Sequence, residues 1–174
     1  MAREDLELGP CAVYIRTVGG AEALTDLGRT EGSVRVAFTT DVADLMSDQW
    51  GTQPEEQVIT GQGCRVTVPF ADYTYTNLAL ALNQTLDASG IYIEGARLVG
   101  TKMSSKAIYL RLKKYVAGAV SEDAENWMDF PVAAPVGNPE VLFSKSDQRI
   151  IEVEFVCFPD DDDILYYLGD EGAS

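Results

Sequence analysis

The sequence predicts a mainly β domain with a single α-helix packed on it, a sandwich or barrel with a long extended loop between early strands. Three observations carry that prediction. Four segments alternate apolar and polar residues with a period of two, only one segment shows helical spacing, and Gly, Pro and Asn punctuate the intervals between them. At 174 residues and 46% hydrophobic content the chain can bury one sizeable core, so residues 1–174 are read as one domain.

The first candidate strand is 11–18. In 33–39, Val34, Val36 and Phe38 face away from Arg35, Ala37 and Thr39. The stretch 41–61 then breaks the pattern, with only short apolar runs at 42–46 and 58–59. Connections longer than about 12–15 residues in a compact domain are usually functional or disordered. The aromatic and proline content of Asp48-Gln49-Trp50-Gly51-Thr52-Gln53-Pro54 is foreign to plain polar linkers, so the stretch reads as an extended arm. Trp50 on such an arm serves best as an anchor buried in a partner. The alternative, Trp50 folded back on its own core, stays open.

Strand 62–70 places Cys64, Val66, Val68 and Phe70 on one face and Arg65 and Thr67 on the other. Next, Tyr75, Leu78, Ala79, Leu82 and Leu86 recur at i, i+3 and i+4, predicting a helix of three or four turns over 72–86. Asp72 or Thr74 can cap it and Ser89-Gly90 can stop it. Further strands are expected at 91–98, 106–114, 127–133, 141–144 and 149–158. In 106–114, Ile108, Leu110 and Leu112 oppose Tyr109, Arg111 and Lys113. In 149–158, Ile151, Val153, Phe155 and Cys157 oppose a mixed face holding Glu152 and Glu154.

Thirteen Lys and Arg against 28 Asp and Glu, with no histidine, leave a net charge of -15. That composition excludes Ser-His-Asp and Cys-His nucleophile systems and the commonest zinc ligand. It also opposes adhesion to nucleic acid or anionic membrane, which carry the same sign of charge. The charge is uneven: residues 1–64 carry -7, residues 65–115 carry +4 and residues 116–174 carry -12. Opposite-sign surfaces on one subunit suit head-to-tail association. Arg111, Lys113 and Lys114 are the leading basic contact candidates, and the run Asp160 to Asp163 within the acidic C-terminal segment 159–174 is a candidate for what they meet on a neighbour.

Cys11, Cys64 and Cys157 are odd in number, widely spaced and set among apolar residues, so they read as buried reduced thiols. Asp160, Asp161, Asp162 and Asp163 read as a solvated acidic turn, because consecutive Asp side chains diverge and lack calcium-loop spacing. Neither a phosphate loop nor a nucleophile elbow occurs, and neither Glu152/Glu154 nor Glu55/Glu56 marks a carboxylate pocket. No cofactor, metal or catalytic residue is expected. The charged N-terminus and the lack of about 18 consecutive apolar residues predict a soluble, cytosol-made chain with no membrane partner.

One set of residues is more specific. Leu8-Gly9-Pro10 before a strand, Leu27-Gly28-Arg29-Thr30-Glu31-Gly32 before the next, then Asp48 to Pro54 and Thr60-Gly61-Gln62 leading into a strand and a helix follow one another in order. Over about residues 8–86 this series resembles the major tail tube protein of long-tailed bacteriophages. The resemblance implies a β-sandwich subunit of hexameric rings that stack into a tube, located in the virion tail and assembled in the host cytoplasm. It implies a loop to the adjacent ring, mapping onto about 44–62 with Asp48, Gln49, Trp50, Gly51 and Thr52 at its centre. It also implies an electronegative lumen for DNA in transit, not bound, and tape measure, terminator and tail-tip proteins as partners. Glu152 and Glu154 are the lumen candidates on strand spacing. The alternative is an acidic binding or connector module of the tail, such as a terminator or baseplate component.

Overall fold

A computed structural model describes residues 10–46, 54–136, 139 and 150–169. The chain is mainly β, dominated by one large antiparallel sheet, and its only α-helix among the described residues lies on that sheet.

Strand β1 (Cys11–Thr17) is edged by the two-residue β2 (Thr25–Asp26). The long strands β3 (Arg35–Leu45) and β4 (Glu56–Phe70) pair with each other. Helix α1 (Tyr75–Leu82) and the small β5 (Thr85–Leu86) and β6 (Ile93–Glu94) ribbon follow. A 3-10 turn at Met103–Lys106 leads into β7 (Ile108–Val116), which folds back on the short β8 (Ala119–Val120). Strands β9 (Trp127–Pro135), β10 (Ile151–Phe158) and β11 (Tyr167–Leu168) complete the set. The main strand path runs β2-β1-β7-β9-β10-β4-β3, so chain neighbours are often not sheet neighbours.

The period-two patterns locate the core. Cys64, Val66, Val68 and Phe70 of β4 lie beside Ile151, Val153, Phe155 and Cys157 of β10, all essentially removed from water. Val13, Leu110, Leu112 and Phe130 continue this face across β1, β7 and β9. Burying each such side chain is worth about 1.5–3 kcal/mol, which makes this face the main source of stability. Val34 and Val36 pack at its margin, whereas Phe38 is half exposed and rests its ring 4.7 Å from that of Tyr166.

The helix is shorter than its spacing predicts. Thr74 is the N-cap, its hydroxyl accepting from the Asn77 N–H at 3.1 Å. The end comes at Asn83, which adopts the left-handed conformation (φ 57°) and turns its N–H back onto the last carbonyls. Residues 85–86 then enter the β5–β6 ribbon, so the predicted stop at Ser89-Gly90 lies beyond the helix. The buried side agrees in part: Ala79 is buried and Leu78 packs on the core as predicted, but Asn77 and Ala81 are buried too, and Tyr75 and Leu82 are exposed. Small residues let the helix sit close to the sheet, and Asn77 is satisfied there by the Leu27 and Asp72 carbonyls at 3.1 and 2.9 Å. Of the predicted strand 91–98 only Ile93–Glu94 pairs. The predicted strand 141–144 lies outside the described residues.

Candidate assembly surfaces

The stretch expected as an extended loop over 41–61 is a projecting hairpin. Residues 41–45 and 56–61 belong to β3 and β4, with Val42 opposite Ile59 and Leu45 opposite Glu56. Strand β10 accompanies β4 only as far as Arg65, opposite Val156. Strand β10 itself ends at Phe158, level with Gly63; the rest of β4 has β3 as its sheet partner, and at about 3.3 Å per residue this two-stranded ribbon reaches about 20 Å beyond β10. A bulge between Asp41 and Val42 marks the transition, and bulges bend and twist a strand pair. At the root, a Cβ on Gly63 would lie 2.8 Å from the Thr39 hydroxyl, so the Thr39 side chain lies over its ladder partner in space that a side chain at position 63 would need. On the arm, Val42, Leu45, Met46, Val58 and Ile59 are each 45% to 59% exposed. Asp48, Gln49, Trp50, Gly51 and Thr52, the predicted centre of the contact, lie outside the described residues.

The predicted basic patch is not open. Arg111 stands opposite Asp129 in the β7–β9 register and grips it with two hydrogen bonds, Nε to Oδ1 at 2.6 Å and Nη2 to Oδ2 at 2.5 Å. Its guanidinium also lies 4.2 Å from the centre of the Trp127 ring and donates to the Tyr109 hydroxyl at 2.9 Å. Lys113 is buried, pairs with Glu122 at 2.8 Å and lies 4.6 Å over the same Trp127 ring. The indole is oriented by its N–H bond to the Ser121 carbonyl at 3.0 Å. Burial raises the Tyr109 phenol to about 12, and the neighbouring Asp129 carboxylate adds to the effect. Arg16 completes the face by stacking on Tyr109 at 4.1 Å. The charges of Arg111 and Lys113 are therefore matched within the subunit, which corrects the expectation that they await a neighbour's acids. Lys114 is half-buried opposite Cys11 at the end of the same strand.

The lumen candidates share the non-core face of β10. Glu152 is exposed and has no ion pair among the described residues, whereas Glu154 forms an ion pair with Arg65 of β4. The acidic turn is tightly built. Asp160 accepts from the N–H groups of Asp162 at 3.0 Å and Ile164 at 2.9 Å, leaving Asp161, Asp162 and Asp163 outward. Cys64 and Cys157 are buried reduced thiols; burial pushes both up, Cys157 the further.

The glycine-rich segment 27–32 docks onto the junction between β4 and α1. Ala71 N–H donates to the Arg29 carbonyl at 2.9 Å, Glu31 N–H to the Pro69 carbonyl at 3.1 Å, and Thr30 bridges Phe70. Neither the arm's ladder nor the internal ion pairs could be found from sequence, since the arm lacks a two-residue period and the pairs are distant along the chain. No helix among the described residues is long and apolar enough to cross a membrane. No protein-family model matches the chain, and no curated protein matches it.

Proposed function

We propose that the chain is a structural subunit of a phage tail tube that self-assembles head to tail into hexameric rings, stacked around a channel for DNA. The observation that carries this reading is the β3–β4 arm. A two-stranded ribbon standing alone in water is marginal, and this one exposes apolar residues along an unsupported length of about 20 Å. Among the described residues strand β3 also ends the main strand path, and no described strand pairs with the outer edge of its eleven residues. A free edge and an apolar arm on one subunit are what a heterologous, repeating contact uses. The net charge of -15 adds that a channel built from such subunits gives phosphate few places to adhere. Glu152 is the better lumen candidate, because Glu154 is offset by Arg65. Tape measure, terminator and tail-tip proteins are the further partners of this reading, and the virion tail is its location.

Negative-stain microscopy and light scattering of concentrated protein test it directly. Rings or tubes are the expected result. A monodisperse monomer under all conditions, including incubation with a tail-tip initiator, would sink the tube in favour of a connector module.

A further inference from the structure

Two surfaces of this chain both expose apolar side chains and differ in the sign of the charges beside them. The first is the distal arm, with Val42 opposite Ile59 and the acids Asp41, Asp44, Glu55 and Glu56; residues 41–46 and 54–61 contain no Lys or Arg. The second is the excursion between α1 and β7. Within it, residues 95–107 hold Arg97, Lys102 and Lys106 and no acid. None of the three forms an ion pair among the described residues, and Arg97 and Lys102 are exposed. Beside them Ile91, Tyr92 and Val99 are exposed by 68%, 59% and 88%.

The excursion is stitched into a fixed shape by side chains acting as substitutes for backbone. Asp87 Oδ1 accepts from the N–H groups of Ile91 at 2.7 Å and Tyr92 at 2.9 Å, and Oδ2 accepts from the Ser89 N–H at 2.9 Å and its hydroxyl. Gln84 pairs both of its amide atoms with the Ala96 backbone at 3.0 and 3.1 Å. These bonds hold large apolar side chains out in water, at a cost in hydration that a free monomer does not recover. A surface already ordered before contact loses less entropy on binding, and tyrosine is among the residues that anchor interfaces.

From these observations we infer that the 87–106 excursion is the receptor for the β3–β4 arm of a second copy. The arm's apolar ribbon covers Ile91, Tyr92 and Val99, while its acidic rim meets Arg97, Lys102 and Lys106. The excursion as a whole carries these three bases against Asp87, which is engaged in its own turn, and Glu94. The inference rests on the self-assembling reading and names the surface that reading needs.

A charge-swap experiment on the full chain tests it. One variant carries Arg97→Glu, Lys102→Glu and Lys106→Glu; the other carries Asp44→Lys, Glu55→Lys and Glu56→Lys. Far-UV circular dichroism should match the parent for both, since five of the exchanged side chains are exposed and Lys106 is half-buried with no ion pair among the described residues. Each variant alone should associate about tenfold more weakly at low salt, and an equimolar mixture should recover association, measured by sedimentation velocity. A photo-crosslinker at position 59 should mark peptides within 87–106 of another copy. Assembly of the parent with crosslinks elsewhere, or with no recovery in the mixture, overturns this docking and leaves the tube reading standing. A parent chain that never self-associates overturns both.

Discussion

The Asp72 carboxylate accepts the Arg29 backbone N–H through Oδ2 at 2.8 Å and holds the Arg29 guanidinium through Oδ1 at 2.8 Å. One side chain at the start of the helix thereby closes the 27–31 segment onto the end of β4. The guanidinium hydrogen bond also holds the Asp72 carboxyl below its usual range. Gly28 is the residue that permits this approach: its φ is +92°, and a Cβ there would stand 2.5 Å from Asp72 Oδ2. Gly28→Ala should destabilise the fold by about 1–3 kcal/mol through strain and displacement of the carboxylate, measured by urea unfolding. An unchanged midpoint would show that the segment moves aside freely.

Arg111 and Asp129 make the second test. Asp129 is almost fully buried, so Asp129→Ala leaves a guanidinium with its preferred acceptor gone and should cost about 3–5 kcal/mol. Replacing both partners by apolar residues of similar size should cost less than the single change. A double-mutant cycle by chemical denaturation reads the coupling, and simple additivity would mean that Trp127 and Tyr109 alone hold the guanidinium.

Asp87 provides a pH test. The Ser89 hydroxyl, followed by the backbone N–H groups of Tyr92, Ser89 and Ile91, lowers its carboxyl from 3.8 to about 2. A depressed folded-state value contributes stability that is present above pH 3.8 and is lost as pH falls toward 2. The carboxyl resonance of Asp87 should titrate near pH 2, and the amides of Ile91 and Tyr92 should shift over that range. Titration at an ordinary aspartate value would mean that the turn is open in solution.

The thiols supply a fourth. With Cys64 and Cys157 buried and raised, and Cys11 pushed up to about 11 by burial, a disulfide-exchange reagent at pH 8 should label the folded chain slowly. All three should react at once in guanidinium. Rapid labelling of Cys157 in the folded chain would indicate frequent opening between β9, β10 and β4.

The strand faces were legible because burial on one side imposes a period of two. Cys64 to Phe70 and Ile151 to Cys157 fell on the expected side. Between residues 41 and 61 the same rule is silent, since a ribbon with both faces in water needs no alternation, and the ladder there appears only in three dimensions. The helix was recognisable by Thr74 and its apolar content, but its end depended on Asn83 taking a left-handed conformation that glycine more often supplies. Arg111 and Lys113 looked like surface charge because composition reveals neither the strand register that sets Asp129 opposite Arg111 nor the turn after β8 that brings Glu122 to Lys113. The arm and the excursion were visible as long or irregular stretches, yet their complementarity emerges only after the internally paired charges are set aside.

Strand β4 gives folding an internal order. Its arm half meets β3 across a short connection, whereas its core half must find β10 across the whole of residues 71–150. Short-range closure is fast and long-range pairing is slow, so the hairpin forms first and carries Cys64, Val66, Val68 and Phe70 in preset alternation to the late-arriving strand. The same fifteen residues thus act as template for the core and, at their other end, as the part left over for a neighbour.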